Sequence, residues 1–217
     1  LEEALLNREI DLAVHSMKDL PTELPKGLKI AAITKREDPR DVLVSEKAFT
    51  IDTLPKGCRV GTSSLRRRAQ LLYMRQDLNV MGLRGNVDTR VEKLKKGLYD
   101  AILLAYAGIK RLGLIGTDTY FSKNRCLSPI PMEEILPQAG QGALGVEVRE
   151  DDADVRDMVN VLDDADCHLC VIAERALLSG LEGGCQVPIG VYAQVNGGRI
   201  SVKAGVFSID GNSGGRD

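Results

Sequence analysis

From Asp41 to Arg111 short apolar runs alternate with amphipathic ones, and this alternation limits the fold more than any other feature of the chain. Residues 42–45, 59–61, 79–83 and 101–105 have the length and apolar content of buried strands. Between them, 65–75 and 87–96 carry helical patterns, the first capped by Thr62-Ser63-Ser64 and the second stopped by Gly97, and a further helix holds Lys110 and Arg111. Strand and helix in alternation predict βαβ units and a parallel sheet.

Two polar, proline-bearing stretches, 35–41 and 128–137, bracket this block and read as crossings between domains. Before the first, the pattern predicts a helix tail at 1–8, a strand at 10–14, the loop His15-Ser16-Met17-Lys18-Asp19 and a strand at 28–33. After the second, a strand at 145–148 is expected to return to the first sheet, followed by helices at 154–161 and 167–178. Residues 191–195 and 199–208 read as a hairpin turned at Asn196-Gly197-Gly198, and Asp210-Gly211-Asn212 as a further turn with no strand after it. The expected class is α/β. Domain 1 takes 1–36 and 134–152, domain 2 takes 40–128, and a small α+β domain 3 takes 154–217. Both ends read as interrupted elements, so chain is expected on either side.

With 217 residues the chain can bury a core, and no apolar run approaches the ~20 residues of a membrane span. Five cysteines are an odd number without the density of a disulfide scaffold. The expected compartment is the cytoplasm, or a plastid if a transit peptide has been removed. Net charge is −2, so neither nucleic acid nor a membrane surface is an expected partner. The charge is unevenly distributed: 58–111 holds twelve Lys/Arg against four Asp/Glu, while 144–217 holds six against thirteen. The basic segment either faces an anion or is a solvated helix surface.

Thr62-Ser63-Ser64-Leu65-Arg66-Arg67-Arg68 follows a strand and opens a helix, so free N–H groups, hydroxyls and guanidiniums converge there as an anion site. The alternative is an ordinary N-cap with surface arginines, at least one of the three being solvated. Arg84, with Arg90, follows the next strand, and Arg111 lies on the helix after the third. Ligands of open α/β sheets bind outside the carboxyl ends of the strands, where these loops lie. Lys18 and Asp19 leave the first strand of the other domain, either as part of that site or as a surface pair. In Leu181-Glu182-Gly183-Gly184-Cys185-Gln186-Val187-Pro188, two glycines leave the thiol uncrowded, or else form a Gly-type helix C-cap before a small buried hydrophobe. Cys167-x-x-Cys170 with His168 lacks a second ligand pair and reads as helix core rather than a metal site, and His15 as a packed histidine. Neither a Gly-x-x-x-x-Gly-Lys-Ser/Thr loop nor a Gly-x-Gly-x-x-Gly run is present, which argues against a nucleotide ligand.

The runs Ala13-Val14-His15-Ser16-Met17-Lys18-Asp19-Leu20-Pro21, Lys35-Arg36-Glu37-Asp38-Pro39-Arg40-Asp41, Gly61-Thr62-Ser63-Ser64-Leu65-Arg66-Arg67, Leu83-Arg84-Gly85-Asn86-Val87, Gly140-Gln141-Gly142-Ala143 and Glu182-Gly183-Gly184-Cys185-Gln186-Val187-Pro188 resemble the porphobilinogen deaminase (hydroxymethylbilane synthase) family. The resemblance covers nearly the whole chain in order. It implies a transferase of tetrapyrrole biosynthesis that joins four porphobilinogen molecules head to tail with loss of ammonia, giving 1-hydroxymethylbilane. It further implies a dipyrromethane cofactor thioether-linked to Cys185, with Ser16, Lys18, Thr62, Ser64, Arg66 and Arg67 on the cofactor carboxylates. Asp19 would be the catalytic group, and Arg84, Arg90 and Arg111 would bind substrate side chains. No metal is implied. The implied fold has two domains like those of type II periplasmic binding proteins plus a small third, in a monomer. A strand and helix would precede Leu1, on the order of 60 residues with their loops. Two rival readings, a hinged non-catalytic small-anion binder and a cysteine-nucleophile hydrolase, leave the Gly-Gly-Cys turn or the missing base partner unexplained.

Overall fold

In the computed structural model, which describes residues 1–115, 126–181 and 188–217, the chain opens with α1 (Glu2–Leu6) and β1 (Ala13–Ser16). It turns through a short 3-10 segment, Met17–Asp19, into β2 (Leu28–Ile33) and β3 (Asp41–Ser45). Then come β4 (Arg59–Gly61), α2 (Leu65–Met74), β5 (Asn79–Met81), α3 (Val87–Lys95), β6 (Ala101–Ala105) and α4 (Tyr106–Arg111). β7 (Cys126–Pro129), β8 (Leu144–Arg149), α5 (Ala153–Val159) and α6 (Ala165–Gly180) lead to β9 (Ile189–Asn196), β10 (Arg199–Phe207) and β11 (Gly214–Arg216), which form a sheet in the order β11-β10-β9. The class is mixed α/β, and among the described residues no helix is long and apolar enough to cross a membrane. The described chain divides into two units. One comprises Leu1–Glu37, 138–181 and Val191–Val202, and the other 38–115, 126–137, 188–190 and Lys203–Asp217.

The first unit is built on the antiparallel sheet β1-β8-β2, so the strand after the second crossing does return to the first sheet, as its centre. Val14 faces Val146 across β1 and β8, a register that starts β1 at Ala13 and carries it to Ser16 rather than over the expected 10–14. His15 is therefore a strand residue, and its Nε2 lies 2.8 Å from Oε2 of the fully buried Glu147. α6 buries Cys167, Cys170, Val171 and Glu174, one stripe at helical spacing. Cys167 packs with Met17, Ile33, Ala143 and Val171, and burial pushes its thiol up to about 11, as suits a core residue. Glu174 receives the Arg36 fork at 2.6 and 3.0 Å and the backbone N–H groups of Gly140 and Ala193 at 2.7 and 2.8 Å. A buried carboxylate is tolerable only when so fully bonded, and this one ties four segments together.

In the second unit the sheet order is β5-β4-β6-β3-β7. β4 is parallel to β5 and β6 as expected, but β3 runs antiparallel to β6 and β7, so the sheet is mixed and not purely parallel. Residues 46–58 form turns and no helix, so nothing carries the chain back across the sheet face between β3 and β4. β3 and β6 are buried on both faces. Leu43 and Leu103 join one core with Val60 and Leu71, while Val42, Val44, Ile102 and Leu104 join the other with Leu83 and Leu94. That two-sided burial is why they read as unbroken apolar runs.

The expectation of no strand after the 210–212 turn is corrected by β11, which pairs Phe207 with Gly214 and Gly205 with Arg216. Glycine has low strand propensity, so local sequence hid it. Here it is required: a Cβ on Gly214 would lie 2.4 Å from the Phe207 ring, over which the Arg216 guanidinium sits at 5.2 Å.

Candidate functional site

Because β4, β5 and β6 are parallel, their carboxyl ends share one edge of the sheet, and the antiparallel β3 brings its first residue, Asp41, to that edge opposite Ala105. α2 starts at the same place, immediately after β4, with Ser64 as N-cap. Asp41 is fully buried between Arg66 and Arg67, each with a guanidinium nitrogen 2.8 Å from one carboxylate oxygen. Burial alone would raise the Asp41 carboxyl, but the two guanidiniums outweigh it and hold the group well below the usual carboxylate range. Arg66 is itself pushed down by burial in spite of Asp41.

Arg66 and Arg67 are only 5% and 6% exposed, and Arg68 is half-buried with its Nη1 donating to Val80 O at 2.6 Å. Of the three only Arg68 keeps partial exposure: the helix fans them apart, and the carboxylate and backbone carbonyls receive each. Arg66 also donates to Leu136 O, and Arg67 to Leu103 O at 3.3 Å. Among the described residues, the Nε atoms of both are buried with no hydrogen-bond partner. Among the described residues, two guanidiniums against one carboxylate leave a surplus of positive charge and two unused donors at the sheet edge.

The neighbouring hydroxyls serve the backbone as acceptors: Ser64 Oγ takes the Arg67 N–H and Thr62 Oγ1 the Ser64 N–H. Each hydroxyl can still donate its own proton to an anion. Arg90 is half-buried, donates through Nε to Gly85 O at 2.7 Å, and is pushed down first by burial and then by the charge of Arg67. The charge of Arg67 is thus felt by both Arg66 and Arg90. Arg84 is exposed in the loop after β5, its carbonyl accepting from Lys93 Nζ, and Arg111 is exposed at the end of α4. A pocket of about 430 Å³ lined by Phe49, Cys58, Leu94 and Tyr99 lies where β4 and β6 begin, at the opposite edge, and none of these arginines lines it.

In the first unit Ser16 ends β1 half-buried, and the 3-10 segment presents Lys18 half-buried and Asp19 exposed. Gly140 supports this segment from behind. Its φ is +71°, and a Cβ there would lie 2.7 Å from that of Met17. Cys185 and its neighbours 182–187 lie outside the described residues. Sequence reasoning missed Asp41 as counter-ion, although a charged residue opening an apolar strand run was a usable signal. It also missed Glu174, Arg175 and Gln138, whose partners are distant in sequence.

A family model described as the porphobilinogen deaminase dipyromethane cofactor binding domain matches residues 1–157, and one for the porphobilinogen deaminase C-terminal domain matches 168–215. The chain is 51% identical over 97% of its length to the porphobilinogen deaminase of Chloroherpeton thalassium, and 52% identical over 97% to that of Desulforudis audaxviator. It spans 65% and 66% of those relatives' own lengths. The substrate binding protein of an amino acid ABC transporter aligns at a TM-score of 0.41 and 17% identity over 84% of this chain and 71% of that one. With both family domains matched in order along the sequence, the chain belongs to the porphobilinogen deaminase family.

Proposed function

We propose that this protein condenses four porphobilinogen molecules head to tail, releasing ammonia at each step, to give 1-hydroxymethylbilane for tetrapyrrole biosynthesis. The observation that carries the proposal is the pair of buried guanidiniums, Arg66 and Arg67, outnumbering the single carboxylate of Asp41 at a helix N-terminus. Such a site suits a ligand rich in carboxylates, and the donor set fits a dipyrromethane: two buried Nε–H groups without partners among the described residues and two hydroxyls with protons to give. When bound, that cofactor supplies the covalent anchor from which the pyrrole chain grows, attached through Cys185.

On this reading Arg66, Arg67, Thr62, Ser64, Ser16 and Lys18 hold cofactor carboxylates, and Arg84, Arg90 and Arg111 take the acidic side chains of substrate. Asp19 accepts hydrogen bonds from pyrrole N–H groups and stabilises the positive charge that develops as ammonia leaves. The protein is a cytoplasmic monomer in which 1–36 with 134–152, 40–128 and 154–217 are the three domains.

Intact mass of the denatured full-length protein, with Ehrlich's reagent for pyrroles, tests the anchor. A dipyrrole adduct is expected that Cys185→Ser abolishes while Cys167→Ser and Cys170→Ser retain it. An adduct that survives Cys185→Ser overturns the assignment.

A further inference from the structure

The segment that carries Asp19 is held mainly by its carbonyls. Met17 N–H donates to Ala143 O at 3.1 Å, and after that the chain from Lys18 to Thr22 lies in no strand or α-helix. Gln138 Nε2 donates to Lys18 O at 2.9 Å. The Arg175 guanidinium donates to Leu20 O and Thr22 O, both at 3.2 Å, to Pro21 O, and more weakly to Met17 O at 3.5 Å. One cation thus gathers carbonyls on both sides of Asp19. An open pocket of about 330 Å³ adjoins the segment, lined by Met17, Thr22, Ile33, His168, Ile172 and Arg175 among others. Arg175 lines it and reaches the carbonyls of the segment as a strut. The base of the strut is fixed as well, because the preceding residue, Glu174, bonds Arg36, Gly140 N and Ala193 N.

We infer that Arg175 is a positioning residue for the Asp19 carboxylate, holding the backbone of 17–22 so that this exposed group points one way before any ligand arrives. The inference rests on the reading of Asp19 as the catalytic group. A carboxylate on a loop stabilises developing charge only if its direction is set beforehand, and misplacement by about 1 Å costs on the order of 10²-fold in rate.

The test uses full-length protein carrying Arg175→Met, Arg175→Lys or Asp19→Asn. In Arg175→Met, amide hydrogen exchange across 18–23 should accelerate about tenfold or more while the α6 core amides stay protected. The kcat should fall on the order of 10²-fold, with KM and the adduct on Cys185 nearly unchanged. Arg175→Lys, which keeps a cation able to reach some of the carbonyls, should recover part of both, and it decides the matter if Arg175→Met does not fold. Unchanged exchange, or a loss expressed in KM or in adduct loading rather than kcat, overturns the inference. Normal turnover in Asp19→Asn instead overturns the role given to Asp19, and it is told apart by leaving the exchange result in Arg175→Met intact.

Discussion

Arg66–Arg67 at the edge of the β4/β6 sheet and Lys18–Asp19 after β1 are both charged pairs at the end of a strand, yet they are organised oppositely. The first is buried and fixed through its side chains, which close on Asp41. The second leaves Asp19 exposed and is fixed through its backbone, by Gln138 and Arg175. Burial makes a charge strong and costly, so such a group must be compensated in the fold itself, and removing its partner is felt as stability. An exposed charge costs little to keep, so its removal is felt only where something reacts beside it.

The largest effect expected from this contrast follows Asp41→Asn, which strands two buried guanidiniums. It should cost about 3–5 kcal/mol of stability in urea unfolding, and a loss below about 1 kcal/mol would show the cluster to be wetter than its geometry implies. The pH dependence sharpens the point. The folded Asp41 carboxyl is depressed, so its contribution is fully present above the unfolded value near 3.8 and is lost as pH falls below that toward the depressed folded value. The unfolding midpoint of the wild type should therefore drop more steeply below about pH 5 than that of Asp41→Asn.

Asp19→Asn comes next. It should leave stability within about 0.5 kcal/mol of wild type and the adduct on Cys185 in place, while kcat falls on the order of 10²-fold. Stopped-assay kinetics beside urea unfolding would break the comparison if the variant lost stability instead of turnover. The smallest effect is expected for Arg111→Ala, an exposed arginine at the end of α4. As one of several contacts to substrate carboxylates it should chiefly raise KM, by about tenfold or less, with kcat held, and a selective fall in kcat would move Arg111 into the company of Asp19.

What the amino-acid sequence determined by itself is what neighbours within a few positions decide. β2 and β6 fall on the expected residues because each is a short, mainly apolar run, and α2 starts after Ser64 because its hydroxyl can cap the helix without help from elsewhere. The arginines, Asp19 and Cys185 could be singled out together as candidates from the sequence because their motifs are local and specific. Only the tertiary structure decided the rest. The direction of β3 depends on which edge the chain re-enters, and β11 pairs with β10 where Phe207 packs over Gly214. The counter-ion of Arg66 and Arg67 is 25 and 26 residues away, and Arg36 meets Glu174 across 138. Pairing at such separations depends on loop closure and burial, which bring together side chains that no local pattern couples. The same holds for the Asp19 turn, whose hydrogen-bond donors arrive from Gln138 and from α6.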